Sequence, residues 1–191
     1  MLKPFDVMLV GVGGQGTILA TKILARAARK KGYDIKVSEI KGMAQRGGSV
    51  VTQLRLAQEV HSPLVAEGGA DVVLAFEKLE ALRWLSYLKP EGTIIINNQA
   101  INPVPVLTGA AAYPEGVLEY IGGRVHNTKV VKALDIALNC GNPRTANVVL
   151  LGVLAKHMPI EREIWEQALE EVVPDRFLEV NKSAFAAGYG I

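Results

Sequence analysis

Cysteine is almost missing: Cys140 is the single one in 191 residues. One thiol cannot close an internal disulfide, supply a CxxC pair or ligate an iron–sulfur cluster that takes four thiolates, so electron transfer through such a centre requires another chain. Histidine is scarce too, and His61, His126 and His157 stand in separate contexts without metal-ligand spacing. An excess of charge of one sign is lacking. Lysine plus arginine number 21 against 19 acids, and a net charge of +2 creates no field of the kind that draws nucleic acid or anionic lipid. The expected partners are therefore a small molecule or a protein. No apolar run reaches the roughly 18 residues of a membrane span, and the opening Met1-Leu2-Lys3-Pro4-Phe5-Asp6 has no signal-peptide core. The expectation is a soluble, cytoplasmic protein. Neither a G-x-S-x-G elbow nor a P-loop lysine occurs, so no catalytic residue and no metal ligand can be named. The length suits a single domain over residues 1–191, large enough to bury a core without covalent staples.

What the chain does have is glycine in a telling place. Gly11-Val12-Gly13-Gly14-Gln15-Gly16 follows the apolar run Val7-Met8-Leu9-Val10 and opens a helical pattern that carries Ile18, Leu19, Ile23, Leu24 and Ala27 to Lys31. Strand, glycine turn and helix form the order of a phosphate cradle. The glycines let an anion approach the backbone, and the unpaired amides and positive dipole end of the helix face it. Gly11, Gly13, Gly14, Gln15 and Gly16 are thus candidate cofactor-binding residues, against a packing role for the same glycines. A strand over Tyr33 to Ile40 follows, and its Glu39 stands about where a dinucleotide-binding fold places the acid that holds the ribose hydroxyls. That acid supports an alternative reading as a stand-alone dinucleotide-binding oxidoreductase or regulator.

Lys41 to Ser49 lacks apolar periodicity and reads as a loop, in which Gln45, Arg46 and Gly47 are further binding candidates. Arg46 offers a rigid fork for phosphate or carboxylate near the glycine turn, if the two glycine loops lie side by side after a pair of parallel strands. Val50, Thr52, Leu54 and Leu56 alternate as in a strand with one wet face near a sheet edge, one that can run antiparallel. A strand–helix–strand unit comes next: Asp71 to Phe76, Glu77 to Leu88 and, after the turn Pro90-Glu91-Gly92, Thr93 to Asn98. Residues 100–123 are broken by proline and glycine. A helix is expected over Lys129 to Asn139, another from the Asn142-Pro143 cap with nearly all faces apolar, and two more over Glu161 to Val172 and Asp175 to Ala187. The pattern predicts an α/β fold, a three-layer Rossmann-like sheet, mostly parallel, with helices on both faces.

With these residues in place, the sequence resembles the gamma-type subunits or domains of the 2-oxoacid:ferredoxin oxidoreductases, and most closely the indolepyruvate:ferredoxin oxidoreductase beta subunits. The likeness rests on the glycine turn, on Ser38-Glu39-Ile40-Lys41-Gly42-Met43-Ala44-Gln45-Arg46-Gly47-Gly48-Ser49-Val50, on Gly141-Asn142-Pro143-Arg144-Thr145-Ala146-Asn147, and on Asn181-Lys182-Ser183-Ala184-Phe185. Lys41 departs from it, since family members often carry histidine there. The resemblance implies a non-redox subunit of a complex that oxidatively decarboxylates arylpyruvates such as indolepyruvate to acyl-CoA, with coenzyme A as co-substrate and ferredoxin as acceptor. It also implies that thiamine diphosphate and iron–sulfur clusters reside in a larger alpha subunit. A purely structural scaffold subunit is the remaining alternative.

Overall fold

The computed structural model describes residues 2–42 and 47–191. Its centre is β1 (Phe5–Val12), whose alternate residues serve two cores: Val7 and Leu9 pack into one, Met8 and Val10 into the other. A strand whose successive side chains are all buried must be covered on both faces. The remaining strands are β2 (Asp34–Lys41), β3 (Ser49–Ala57), β4 (Ala70–Ala75), β5 (Leu88–Asn97) and β6 (Thr128–Val131). They form one sheet in the order β2-β3-β1-β4-β5-β6. β1, β4, β5 and β6 are parallel, while β3 runs antiparallel to both β1 and β2.

One face is covered by α1 (Thr17–Lys31), α5 (Ala133–Asn139), α6 (Ala146–Ala155), α7 (Arg162–Val172) and α8 (Asp175–Tyr189). The other takes α2 (Lys78–Arg83) and α4 (Val117–Gly122); a single turn, α3 (Val104–Leu107), lies in the stretch between β5 and α4. The three-layer expectation holds. So does the reading of α6: its residues from Asn147 to Ala155 are all buried, and a Cβ on Gly152 would sit 2.3 Å from the Phe185 carbonyl oxygen. Asn142 caps the 3-10 turn Pro143–Thr145 that leads into it, accepting from the Arg144 amide at 3.0 Å.

Several local expectations are corrected. β3 lies near one edge of the sheet and runs antiparallel, as expected, with β2 outside it, but it has no wet face: Thr52 and Gln53 are buried, the Gln53 side chain accepting from Val65 N at 2.7 Å. β1 and β2 are consequently not a hydrogen-bonded pair. The helix expected from Lys129 begins at Ala133, because residues 128–131 complete the sheet beside β5. The Glu77–Leu88 helix is shorter, and β5 starts at Leu88, upstream of the expected turn, with an irregular register against Ala70 and Val72. The last helix does not stop at Ala187 but runs to Tyr189, past Gly188. Gly188 lies inside α8, where a Cβ would meet the Val149 carbonyl oxygen at 1.9 Å.

Candidate functional site

The glycine turn between β1 and α1 lies at the C-terminal edge of the parallel strands, the edge along which open α/β sheets bind ligands. Its glycines have different tasks. Gly11 makes room, since a Cβ there would lie 2.8 Å from Gln15 Oε1 and 2.9 Å from Phe76 Cβ. Gly16, with φ +77°, caps α1 in a conformation side chains rarely adopt, and its Cβ would strike Asn147 Nδ2 at 2.5 Å. Gly14 has φ +102° and nothing within 4 Å of a Cβ, so its surface is open to the space beyond the turn.

That space is a cleft of about 690 Å³ between the glycine turn and the start of α6. The two halves are tied directly, Asn147 Nδ2 donating to the Gly16 carbonyl at 3.0 Å. Two helix starts therefore converge on one opening. Gly16 offers α1 no side-chain cap, which leaves its first-turn amides to other acceptors. Arg144, exposed at the rim, is the only cation among the described lining residues and has no carboxylate within ion-pair distance among the described residues. No described lining residue is acidic, and Leu19, Phe76, Ile101, Leu134 and Leu150 give the walls an apolar surface. An anion with an apolar or aromatic body matches that lining; a metal ion does not.

Behind the turn, neutral amides fix the strand ends. Gln15 Oε1 accepts from Val12 N at 2.8 Å, while its Nε2 donates to Phe76 O at 2.8 Å and to Gln99 Oε1 at 3.2 Å. Asn97 Nδ2 donates to the same two oxygens at 3.1 Å, and its Oδ1 accepts from Ala133 N at 3.3 Å. Gln15 thus lines the cleft with its polar atoms already engaged by protein.

Of the residues singled out in the sequence, Gly13, Gly14, Gln15 and Gly16 line the cleft, and Gly11 packs behind it. Gly13 N donates to Gly48 O at 2.9 Å, so the bases of the two glycine loops do lie side by side. The cause is the antiparallel return of β3, whose Ser49 faces Val12, and not a paired β1 and β2. Gly47 has φ +77° and open space around it. Gln45 and Arg46 lie outside the described residues.

Glu39 is not placed as a ribose-binding acid. In a dinucleotide fold the second strand lies directly beside the first, whereas here β3 intervenes and separates β2 from β1 by two strand spacings, about 10 Å. Its carboxylate pairs with Lys41 at 2.6 Å. Asp71 is a structural acceptor for Asp6 N at 2.8 Å and pairs with Lys89 at 2.5 Å. His157 sits at the opposite, N-terminal end of the strands beside Phe5 and Thr93; burial, ahead of Lys129 and Lys156, lowers its pKa. Arg144 lines the cleft although the sequence gives it no role of its own; the signal for it is its place beside a helix start.

Comparison with known proteins identifies the family. Residues 6–191 match the family described as pyruvate ferredoxin/flavodoxin oxidoreductase. The indolepyruvate oxidoreductase subunit IorB of Pyrococcus horikoshii is 40% identical, the alignment covering 98% of this chain and 95% of that one. That of Thermococcus kodakarensis is 38% identical over the same shares. Among solved structures, the keto/oxoacid ferredoxin oxidoreductase gamma subunit from Geobacter sulfurreducens superposes with a TM-score of 0.73 at 24% identity, covering 97% of this chain and 96% of that chain. A 2-oxoglutarate:ferredoxin oxidoreductase from Magnetococcus marinus, solved with 2-oxoglutarate, coenzyme A and succinyl-CoA bound, gives 0.74 at 20% identity and covers all of this chain but 31% of its own. At such identities the structural likeness is one of fold, and it is the near full-length sequence matches that carry the assignment. The chain belongs to the pyruvate ferredoxin/flavodoxin oxidoreductase family, as a subunit of a heteromeric oxidoreductase.

Proposed function

We propose that this chain is the non-redox subunit of an indolepyruvate (arylpyruvate):ferredoxin oxidoreductase, and that its glycine-turn cleft receives an anionic group of coenzyme A or of the oxoacid. In the overall reaction the oxoacid loses carbon dioxide, its carbonyl carbon gives up two electrons to ferredoxin, and the acyl group forms a thioester with coenzyme A. Thiamine diphosphate and iron–sulfur clusters in a larger alpha subunit supply the decarboxylation and the electron path. The donor set of this chain does not suit a cluster, because one cysteine gives one thiolate where four are taken. Its own contribution is to bind and orient. The α1 amides and the Arg144 guanidinium face one opening without a competing carboxylate, so a phosphate or carboxylate there gains charge-assisted hydrogen bonds while apolar walls exclude water from its body.

The observation that carries this reading is the meeting of the glycine turn with the Asn142-Pro143-Arg144 turn around one cleft that holds a cation and no acid among its described residues. Two measurements test it. Purification from the native cell should bring down a larger chain bearing thiamine diphosphate and clusters; a chain that purifies alone and forms no complex with such a protein contradicts the subunit role. In the reconstituted complex, Arg144→Ala should leave assembly intact and raise the Michaelis constant for coenzyme A or indolepyruvate about ten- to a hundredfold, the loss of one charge-assisted contact. Unchanged constants in an intact complex refute the ligand role. Arg46, which the resemblance also marks, is tested by the same substitution to alanine.

A further inference from the structure

Between β5 and α4 the chain leaves the sheet for an excursion, residues 102–112, that contains no charged side chain and whose α3 residues Val104 and Leu107 are among the most exposed large apolar groups of the protein. Its hydrogen bonds are mostly its own: Leu107 N to Pro103 O, Thr108 N to Val104 O, Ala111 N to Pro105 O. What holds it in place is at its two feet. Ile101 N donates to Glu77 Oε1 at 3.1 Å, and the Tyr113 hydroxyl donates to the same Oε1 at 2.5 Å. The other oxygen of Glu77 caps α2, accepting from Glu80 N at 3.0 Å. Glu77 is 1% exposed and follows Phe76, whose carbonyl anchors Gln15 and Asn97. One buried carboxylate oxygen therefore closes an excursion whose inner foot, Gln99 to Ile101, is a wall of the cleft.

We propose that Glu77 and Tyr113 are positioning residues: their contact clamps both feet of the 102–112 excursion and so holds the Gln99–Ile101 wall at the spacing the ligand requires. The inference rests on the reading of the cleft as a ligand site. Neither side chain touches the cleft; they act through Ile101. Burial, and then the neighbouring Glu77, raise the Tyr113 phenol above its ordinary pKa, so it remains a donor throughout the working range. Its oxygen also accepts from Leu79 N at 3.1 Å, which orients the hydroxyl toward Glu77. A hydrogen bond to a charged acceptor shifts a local equilibrium by roughly tenfold or more, enough to decide whether the wall is set before the ligand arrives.

Tyr113→Phe removes the hydroxyl and little else. In the reconstituted complex, amide hydrogen exchange should quicken across residues 99–113 and stay unchanged in β1 and α6. The Michaelis constant that Arg144→Ala raises, for coenzyme A or for indolepyruvate, should rise about tenfold with turnover held within about twofold. Glu77→Gln, which keeps an acceptor oxygen and the side-chain shape, should produce a smaller rise in the same constant. If exchange is unchanged, the contact does not hold the excursion and the proposal is wrong. If exchange quickens but the constant stays put while Arg144→Ala still raises it, the cleft reading stands and the positioning role is refuted. If Arg144→Ala changes nothing either, the cleft reading has failed and takes this inference with it.

Discussion

Gly188→Ala sets two effects of opposite sign against each other. Alanine in a helix interior gains about 1 kcal/mol over glycine through backbone entropy, and that alone raises stability. At Gly188, however, the new methyl would stand 1.9 Å from the Val149 carbonyl oxygen and 2.8 Å from its carbon, about 1.5 Å short of ordinary contact at 3.4 Å. Both atoms are backbone in the buried helix α6, which cannot step aside as a flexible side chain can. Parting the helices by that much also strains the facing contact of Gly152, whose own Cβ would lie 2.3 Å from Phe185 O. Overpacking costs about 1–3 kcal/mol and more where backbone must move, so the net is a loss of about 2 kcal/mol. For a chain of this length that lowers Tm by roughly 4–8 °C, read by calorimetry or circular dichroism on the purified chain. Gly152→Ala should behave alike, and the double substitution should lose less than the sum because both act on one seam. Gly122→Ala is the control: it ends α4 with nothing within 4 Å of its Cβ, and should be neutral or slightly stabilising. A Gly188→Ala protein as stable as the parent would refute the close-packed seam between α6 and α8.

The seam between α1 and α7 should depend on pH. Lys30, at 2.7 Å, and Arg26 hold the Glu171 carboxyl below its ordinary pKa, so the stability of the pairing is present above the usual carboxylate value and disappears as pH falls through the lowered folded value. Glu171→Gln should therefore depress Tm slightly at pH 7 and not at pH 3, with the difference shrinking in high salt; equal effects at both pH values contradict the assignment. Calorimetric titration should find no micromolar affinity for NAD, and Glu39→Ala should leave the titration unchanged, since β3 holds that acid away from the glycine turn. Micromolar binding lost in the variant would revive the dinucleotide reading.

The parts of the molecule legible in the sequence are those written in contiguous residues. The glycine turn, the Asn142-Pro143 cap and the all-round apolar helix after it each carry a local physical reason, and each is found where expected. What was not legible depends on partners distant in the chain. The alternation of Val50, Thr52, Leu54 and Leu56 marks a wet face only if Gln53 and Thr52 have no protein partners; Val65 N and the flanking strands β1 and β2 supply burial and bonding that the segment itself does not announce. Lys129-Val130-Val131 fits a helix start as well as a strand, and β5 decides. In the site, the Gln15 amide looked free to meet a ligand, but its three partners arrive from Val12, Phe76 and Gln99. Glu77 caps α2 within its own segment, but the contact of its second oxygen with Tyr113 is made by a fold that brings residues 36 apart together.

The strand ends around the cleft are fastened by the amides of Gln15, Asn97, Gln99 and Asn147, none of which titrates. A framework of that kind has no protonation state to lose, and its bonds are not weakened by dissolved ions as exposed ion pairs are. Ionic strength therefore reaches the opening through Arg144 and through the charge of whatever enters, and acidity reaches its shape only at the Gln99–Ile101 wall, where the Glu77 carboxylate holds Ile101 N. The ionic atmosphere tunes how fast and how tightly an anion is captured, while the amide-fastened strand ends that receive it keep the same bonds from one medium to the next.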